Sequence, residues 1–283
     1  MKYLLPTAVF LLMVSVGISL KPGELLRHQA RLKGWPWLRL LIATFIVPPV
    51  IVLLLQRWLP IDFGEAVGLF MIGVVPGAPL MSRNAAKRGF DMQLAASYQV
   101  WGALLTPIMI PLVVFATAKL YERDIWIPPG ILLSQIVEKQ FVPLVIGMLL
   151  MLYAAGVARK LQPAITTLGN LLLIFILAAM LWKMRATLAA ITPWLAVAAI
   201  TLAVCSMLAI PLLLRSDPEI NKTLALCNAN RHVGLALLLA GRYLRARDAL
   251  PAIACYALVA PLAMLVFVWL VRRKGAAPVA AKA

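Results

Sequence analysis

The 283-residue chain is 63% hydrophobic and only 13% charged, so it lacks the polar residues that a soluble domain of this length needs to cover its surface. It carries 27 Lys and Arg against 10 Asp and Glu, but the basic residues lie at the edges of apolar segments, which argues against a nucleic-acid-binding protein. The composition predicts a membrane protein whose basic loops contact anionic lipid headgroups.

Apolar segments long enough to cross a bilayer recur along the chain, separated by short loops. A bilayer core about 30 Å thick needs about 20 apolar residues per helix. The predicted spans, about nine by this length criterion, are 3–20, 37–56, 64–86, 92–118, 130–156, 164–184, 189–214, 219–241 and 249–271. We expect an all-α polytopic protein with one transmembrane domain over 1–274 and a flexible tail over 275–283.

The basic residues of the loops predict an orientation. Sixteen of them fall on the side that bears the C-terminus and ten on the other side, while Arg231 lies within a span. The positive-inside rule then places the C-terminus in the cytoplasm and the N-terminus outside an inner cell membrane. Because no A-x-A cleavage site follows the first apolar segment, we expect the first helix to be retained.

The third span is interrupted by Pro76-Gly77-Ala78-Pro79, with Ser82 and Asn84 just beyond. Two prolines three positions apart remove two backbone donors and disturb a helix. The carbonyls that lose their donors need protein partners or a water-filled cavity at membrane depth. The interruption predicts a broken helix at a binding site, or alternatively a simple packing kink.

The eighth span is interrupted by a polar cluster, which contains Asn228, Asn230, Arg231 and His232. An arginine at the centre of a membrane helix costs about 2.5–3.5 kcal/mol on insertion scales, so its position calls for a reason. The cluster predicts a second broken helix. The alternative is the end of a shorter helix, with Arg231 reaching to the membrane surface.

The two breaks lie about 150 residues apart, at corresponding places in the two halves of the chain. Paired interrupted helices of this kind indicate an inverted-repeat secondary transporter, in which the breaks cross near the membrane midplane. The half-helices that begin there offer N–H groups to an anion. Metal-site and catalytic motifs are absent from the sequence, so we expect no metal site and no enzyme, an intramembrane enzyme being the least favoured class.

Several segments resemble the bile acid:sodium symporter family. Val14–Leu20 resembles its M-G-L-S-L segment, and Gly73–Gly77 with Gly89–Leu94 resembles its P-G-G-x-x-S-N…K-G-D-x-x-L-S block. Thr106-Pro107 closes the next helix, and Asn230–Ala236 resembles the block E-x-G-x-Q-N-x-G-L-A. The resemblance implies ten helices in two inverted five-helix repeats, divided into a panel and a core domain. Without the first of these helices, nine remain.

The resemblance also places the residues that bind sodium in the family. Cys227 falls where the family has Glu, Arg231 where it has Gln, and His232 where it has Asn. The Ser-Asn pair of the first block falls at Met81-Ser82, or at Ser82-Arg83 after a one-residue shift, and the later Ser and Thr fall at Ala95 and Gln99. Cysteine and arginine supply no oxygen ligand for sodium. We therefore expect no cofactor and no sodium coupling through these positions.

These patterns predict a transporter that moves a small or amphipathic organic anion by alternating access. Arg231 would either hold the crossing without sodium or bind the anion, with His232 as a proton link. The alternative is a non-transporting membrane sensor or scaffold that retains the fold. The oligomeric state is not predicted. The candidate site residues are Pro76, Gly77, Ser82, Asn84, Gln99, Cys227, Asn228, Asn230, Arg231 and His232.

Overall fold

The computed structural model describes residues 4–20, 34–78, 81–120, 137–183, 191–243 and 246–275, with positions 130, 133–134, 185 and 189. These residues form helices and short connecting segments, and no strand occurs among them. The helices are α1 (Leu4–Ser19), α2 (Trp35–Trp58), α3 (Phe63–Val74), α4 (Met81–Lys87), α5 (Met92–Leu120), α6 (Val142–Tyr153), α7 (Ala155–Lys183), α8 (Pro193–Leu214), α9 (Pro218–Ala229), α10 (Val233–Tyr243) and α11 (Ala246–Gly275).

The structure confirms an all-α protein that crosses a membrane several times. Within the described ranges, α2, α5, α8 and α11 are long and apolar enough to span a bilayer, and α1, α3 and α6 are shorter apolar helices. Helices α3 and α4 occupy the third predicted span, and α9 and α10 occupy the eighth, so both are broken as predicted. Helix α11 continues to Gly275, and the rest of the predicted tail lies outside the described residues.

The boundary predicted between the fifth and sixth spans is wrong. The sequence predicts a loop over 157–163, but α7 begins at Ala155 and continues through Pro163. The chain leaves helical geometry only at Ala154, where φ is −140° and ψ is 52°. The charged stretch around Arg159 suggested a loop, yet it forms an exposed part of α7. Pro163 is exposed as well, so the backbone hydrogen bond that it removes lies in a turn of α7 that is not buried against another helix.

The described helices pack as two groups. Helix α1 packs on α6 and α7, while α2–α5 and α8–α11 pack with one another. The larger group contains two hydrophobic cores, one centred on α3, α8 and α11 and the other on α5, α8 and α9. A small apolar cluster that includes Ala96 of α5 joins it to α1. This division matches the panel and core domains that the resemblance implies.

Helices α1 and α6 approach each other at two glycines. A Cβ atom on Gly147 would clash with the Val14 carbonyl oxygen, and a Cβ atom on Gly17 would clash with the Leu144 carbonyl oxygen. Small residues at such contacts let helix backbones meet in a membrane, where packing rather than the hydrophobic effect holds helices together. The smaller group therefore depends on these two positions.

We expect Gly147→Ala to lower the free energy of unfolding by about 1–3 kcal/mol, because the added methyl group displaces α1. The measurement is the thermal unfolding midpoint of the purified protein in detergent. Gly156→Ala is the matched control, since nothing lies within 4 Å of its Cβ position. It should be neutral, or stabilising by up to about 1 kcal/mol. Equal effects of the two substitutions would contradict the close contact.

Candidate functional site

The segment between α3 and α4 lies against the segment between α9 and α10. The His232 N–H donates a hydrogen bond to the Val75 carbonyl at 3.1 Å, and the Ala78 N–H donates to the Asn230 carbonyl at 3.3 Å. The two segments run antiparallel at this contact. The predicted crossing of the two broken helices is therefore confirmed.

Two neighbouring residues produce the first break. Pro76 has no N–H to continue the helix, and Gly77 adopts a φ of +78°, which residues with a side chain rarely adopt. Both residues are buried. Pro79, the second proline predicted to interrupt the span, lies outside the described residues.

A proline pair in α2 leaves a backbone carbonyl near the crossing without its usual donor. Residues Ile42–Ile46 of α2 form a π turn. The carbonyl of residue i bonds to the N–H of residue i+4 in an α-helix and to that of i+5 in a π-helix. For Thr44 these positions are Pro48 and Pro49, which have no N–H. Since water is excluded at membrane depth, the Thr44 carbonyl needs a donor from elsewhere in the protein.

Arg231 supplies this donor. Its side chain is only 2% exposed. Nη1 donates to the Thr44 carbonyl at 2.9 Å and to the Gly73 carbonyl, near the end of α3, at 3.3 Å. Nη2 donates to Oδ1 of Asn228 at 2.9 Å. The guanidinium thus binds oxygen atoms of α2, α3 and α9, and no carboxylate among the described residues forms an ion pair with it.

The Ala43 carbonyl lacks a backbone donor for a similar reason. The residue at i+5 is Pro48, which has no N–H. The residue at i+4 is Val47, and its N–H donates to the Ile42 carbonyl in the π turn instead. Nδ2 of Asn228 donates to the Ala43 carbonyl at 3.0 Å. A side chain of α9 therefore satisfies a second carbonyl of α2.

Asn228 uses both of its amide protons and accepts two hydrogen bonds in this network. Its side chain is fully buried. In addition to the bond to α2, Nδ2 donates to the Ser206 carbonyl of α8 at 2.7 Å. Oδ1 accepts from Arg231 and, at 2.9 Å, from the Tyr98 hydroxyl of α5. Asn228 therefore joins α9 to three other helices near the second break.

Two buried tyrosines that were not predicted from the sequence complete the network. The Tyr98 hydroxyl forms a 3.0 Å hydrogen bond with the Thr44 hydroxyl, and the Tyr256 hydroxyl donates to the Ala229 carbonyl at 2.7 Å. Tyr98 is adjacent in sequence to Gln99, a predicted site residue, and this position could have identified it as part of the site. Tyr256 lies in an apolar stretch that gives no such signal.

Side chains cap the half-helices that begin at the two breaks. Oε1 of Gln99 accepts a hydrogen bond from the Ser82 N–H of α4 at 3.3 Å, while its Nε2 lies 3.7 Å from Sδ of Met13. Nδ1 of His232 accepts from the Leu235 N–H of α10 at 3.1 Å. Each half-helix was expected to offer its N–H groups to an anion. In the structure, one of these N–H groups in each half-helix is hydrogen-bonded within the protein.

The other predicted site residues lie in different surroundings. The Ser82 hydroxyl is buried and has no hydrogen-bond partner in the part of the chain that the structure describes. Asn230 is half-buried and contributes its carbonyl to the crossing, whereas Cys227 is buried among apolar side chains. Asn84 is half-buried, and its carbonyl accepts a hydrogen bond from Arg88 at 3.4 Å.

A cavity of about 320 Å³ lies between α4 and α5 on one side and α1 and α7 on the other. Among the described lining residues one is charged, Arg83, which is not among the site residues predicted from the sequence. The lining residues are Ser15, Val16, Ser19, Arg83, Met92, Gln162, Pro163 and Thr166. A second cavity, beside Trp37 and Trp101, holds only about 30 Å³. The larger cavity has a volume typical of small ligand sites.

The described residues offer no cluster suited to a transition metal. No group of three or more His, Cys, Asp and Glu side chains lies together within the described ranges. The oxygen atoms gathered at the crossing face the Arg231 guanidinium instead. The arrangement can therefore hold two interrupted helices together around a permanent positive charge.

Comparison with known proteins identifies the family. The model of the sodium bile acid symporter family matches residues 6–191, from α1 to the segment before α8. The match includes the first break and ends before the second. None of the curated proteins compared with this chain matches it. Because the family match covers more than half of the sequence, the chain belongs to the sodium bile acid symporter family.

Proposed function

We propose that the protein is a secondary carrier that moves a small organic anion across an inner cell membrane by alternating access, without sodium. The observation that carries this proposal is the buried Arg231. Its guanidinium lies where two broken helices cross, and carriers with interrupted helices use the carbonyls of such breaks to bind a coupling cation. The positive charge here belongs to the chain itself.

Carrier function is supported by the family and by the architecture. The family is one of symporters, and its name refers to bile acids, which are amphipathic organic anions. Crossing broken helices are typical of carriers that alternate access around a central site. The cavity between the two helix groups offers a place where movement of one group against the other would expose a ligand. The distribution of basic loop residues supports a cytoplasmic C-terminus.

Sodium independence is supported by the chemistry of the crossing. A hard cation needs several oxygen ligands, usually with a carboxylate among them. The carbonyls of Thr44 and Gly73 accept hydrogen bonds from Arg231. The buried thiol of Cys227 stands where the sequence resemblance implies the family's acidic ligand. A guanidinium is permanently charged and has five N–H donors. These carbonyl oxygens are bonded to the arginine, so they are not available as ligands for a sodium ion.

The hydrogen bonds favour one of the two roles considered for Arg231. Both Nη atoms already bind protein oxygens, and the side chain is almost completely buried. Nε is also buried, without a partner in the described part of the chain. We therefore assign to Arg231 the role of holding the crossing, and the anion would bind elsewhere.

A non-transporting membrane scaffold is the second candidate. The enclosed arginine favours it, since a chain that has lost its ions could keep the crossing as a purely structural element. The polar cavity between the helix groups favours the carrier. Ligand binding separates the two candidates, because a scaffold has no reason to bind organic anions.

We expect organic anions to raise the thermal stability of the purified protein equally in sodium and in choline. A ligand that binds only the native state stabilises it by mass action. The measurement is the unfolding midpoint across a panel of carboxylates and sulfonates, with sodium or choline as the only cation. A rise that needs sodium would contradict sodium independence, and no rise with any anion would favour the scaffold.

We expect Arg231→Gln to lower the free energy of unfolding by about 3 kcal/mol or more, since it leaves buried carbonyls without donors. Arg57→Gln is the control, because Arg57 is exposed at the end of α2 and the same charge is removed. Its effect should stay within about 0.5 kcal/mol. Thermal unfolding of both variants checks this, and similar midpoints would show that Arg231 does not hold the crossing.

A further inference from the structure

Among the described residues that line the cavity between the two helix groups, one carries a positive charge and none carries a negative one. The charged residue is Arg83 of α4. Among the described residues, no carboxylate forms an ion pair with Arg83. Its Nη1 donates one long hydrogen bond, 3.4 Å, to Oδ1 of Asn170 on α7. The protein thus presents a guanidinium with little competition from its own oxygen atoms.

The opposite wall of the cavity carries hydroxyl and amide groups. Ser15 and Thr166 form a hydroxyl pair across α1 and α7. One hydroxyl proton bridges such a pair, which leaves the second for a ligand. Nε2 of Gln162 donates to Oγ of Ser19 at 2.6 Å and orients that side chain. The wall is therefore polar and ordered by its own hydrogen bonds.

Resting on the proposed function, we infer that Arg83 binds the carboxylate of a small organic monoanion in this cavity, and that the second hydroxyl proton of the Ser15–Thr166 pair donates a further hydrogen bond to the same carboxylate. Arginine matches a carboxylate through two parallel N–H bonds. The guanidinium of Arg83 neutralises one negative charge, and no second cation occurs among the described lining residues, which favours a monoanion over a dianion or a trianion.

The volume limits the size of the anion. At about 30 Å³ per water molecule in the liquid, the cavity of about 320 Å³ holds on the order of ten waters. An anion with about that number of non-hydrogen atoms fits the cavity, whereas a steroid acid is much larger and would extend out of it. Benzoate is a suitable probe, and benzamide is its neutral counterpart of the same shape.

The position of the cavity links binding to movement. Arg83 belongs to the larger helix group, whereas Ser15, Ser19 and Thr166 belong to the smaller one. An anion held by both sides contacts both groups at once. Its affinity then depends on how the groups are placed, which is the requirement for a substrate in alternating access.

The test is the thermal stability of the purified full chain against increasing benzoate, as the choline salt. We expect benzoate to stabilise the wild-type protein and benzamide to have no effect. Arg83→Gln should need about 10- to 100-fold more benzoate to reach the same rise in the unfolding midpoint, because it loses a charge-assisted hydrogen bond. Arg83→Lys should need a benzoate concentration between those of the wild type and Arg83→Gln, because it keeps the charge and loses the paired N–H geometry.

Arg88→Gln is the matched control. It removes an arginine near the end of α4 that does not line the cavity, so its benzoate response should equal that of the wild type. Thr166→Val provides a second variant should Arg83→Gln not fold, and it should weaken binding several-fold through the loss of one hydroxyl.

The outcomes separate this inference from the proposed function. If Arg83→Gln responds to benzoate as the wild type does, Arg83 is not the anion-binding residue, although the carrier proposal stands. A wild-type response to cholate but not to benzoate overturns the small-anion inference in the same way. If no anion stabilises the wild-type protein, both the inference and the proposed function are contradicted.

Discussion

The organisation of this protein depends on how it satisfies backbone carbonyls that water cannot reach. Pro48 and Pro49 remove the donors that the Thr44 carbonyl would use in either an α-helical or a π-helical turn. At membrane depth such a group is costly unless another part of the protein bonds to it. Arg231 and Asn228 provide those bonds from the distant second break. The polar cluster therefore supplies the hydrogen-bond donors that the proline pair removes.

The crossing is held by more bonds than the boundary between the two helix groups. The crossing is held by side-chain bonds among α2, α3, α5, α8 and α9, and by backbone bonds between the two breaks. Contacts between the two helix groups are sparser, and they surround the cavity that contains Arg83. Any alternation of access is easier at that boundary than within the crossing. Arg231, which holds the crossing, and Arg83, which we propose to bind the anion, thus have different roles.

Much of the fold could be predicted from sequence, because hydrophobic length and helix-breaking residues are local signals. The break at Pro76 and the polar cluster around Arg231 indicated both the broken helices and their crossing. The partners of Arg231 could not be predicted in the same way, since they are mainly backbone carbonyls, which carry no side-chain signature. Tyr256 was missed because an aromatic residue in an apolar stretch is usually a packing residue. Arg83 was missed because a basic residue near the end of a span is ordinarily assigned to a loop.

A positive charge that is covalently part of the carrier has an energetic consequence. A symporter that carries a mobile cation gains free energy from the gradient of that cation, whereas Arg231 never leaves the protein. A monoanion that crosses alone moves one net negative charge through the membrane. Each 100 mV of membrane potential then contributes about 2.3 kcal/mol per charge. With the cytoplasm negative, this term favours outward movement of the anion, so a carrier built in this way would work as an exporter unless the external concentration is far higher.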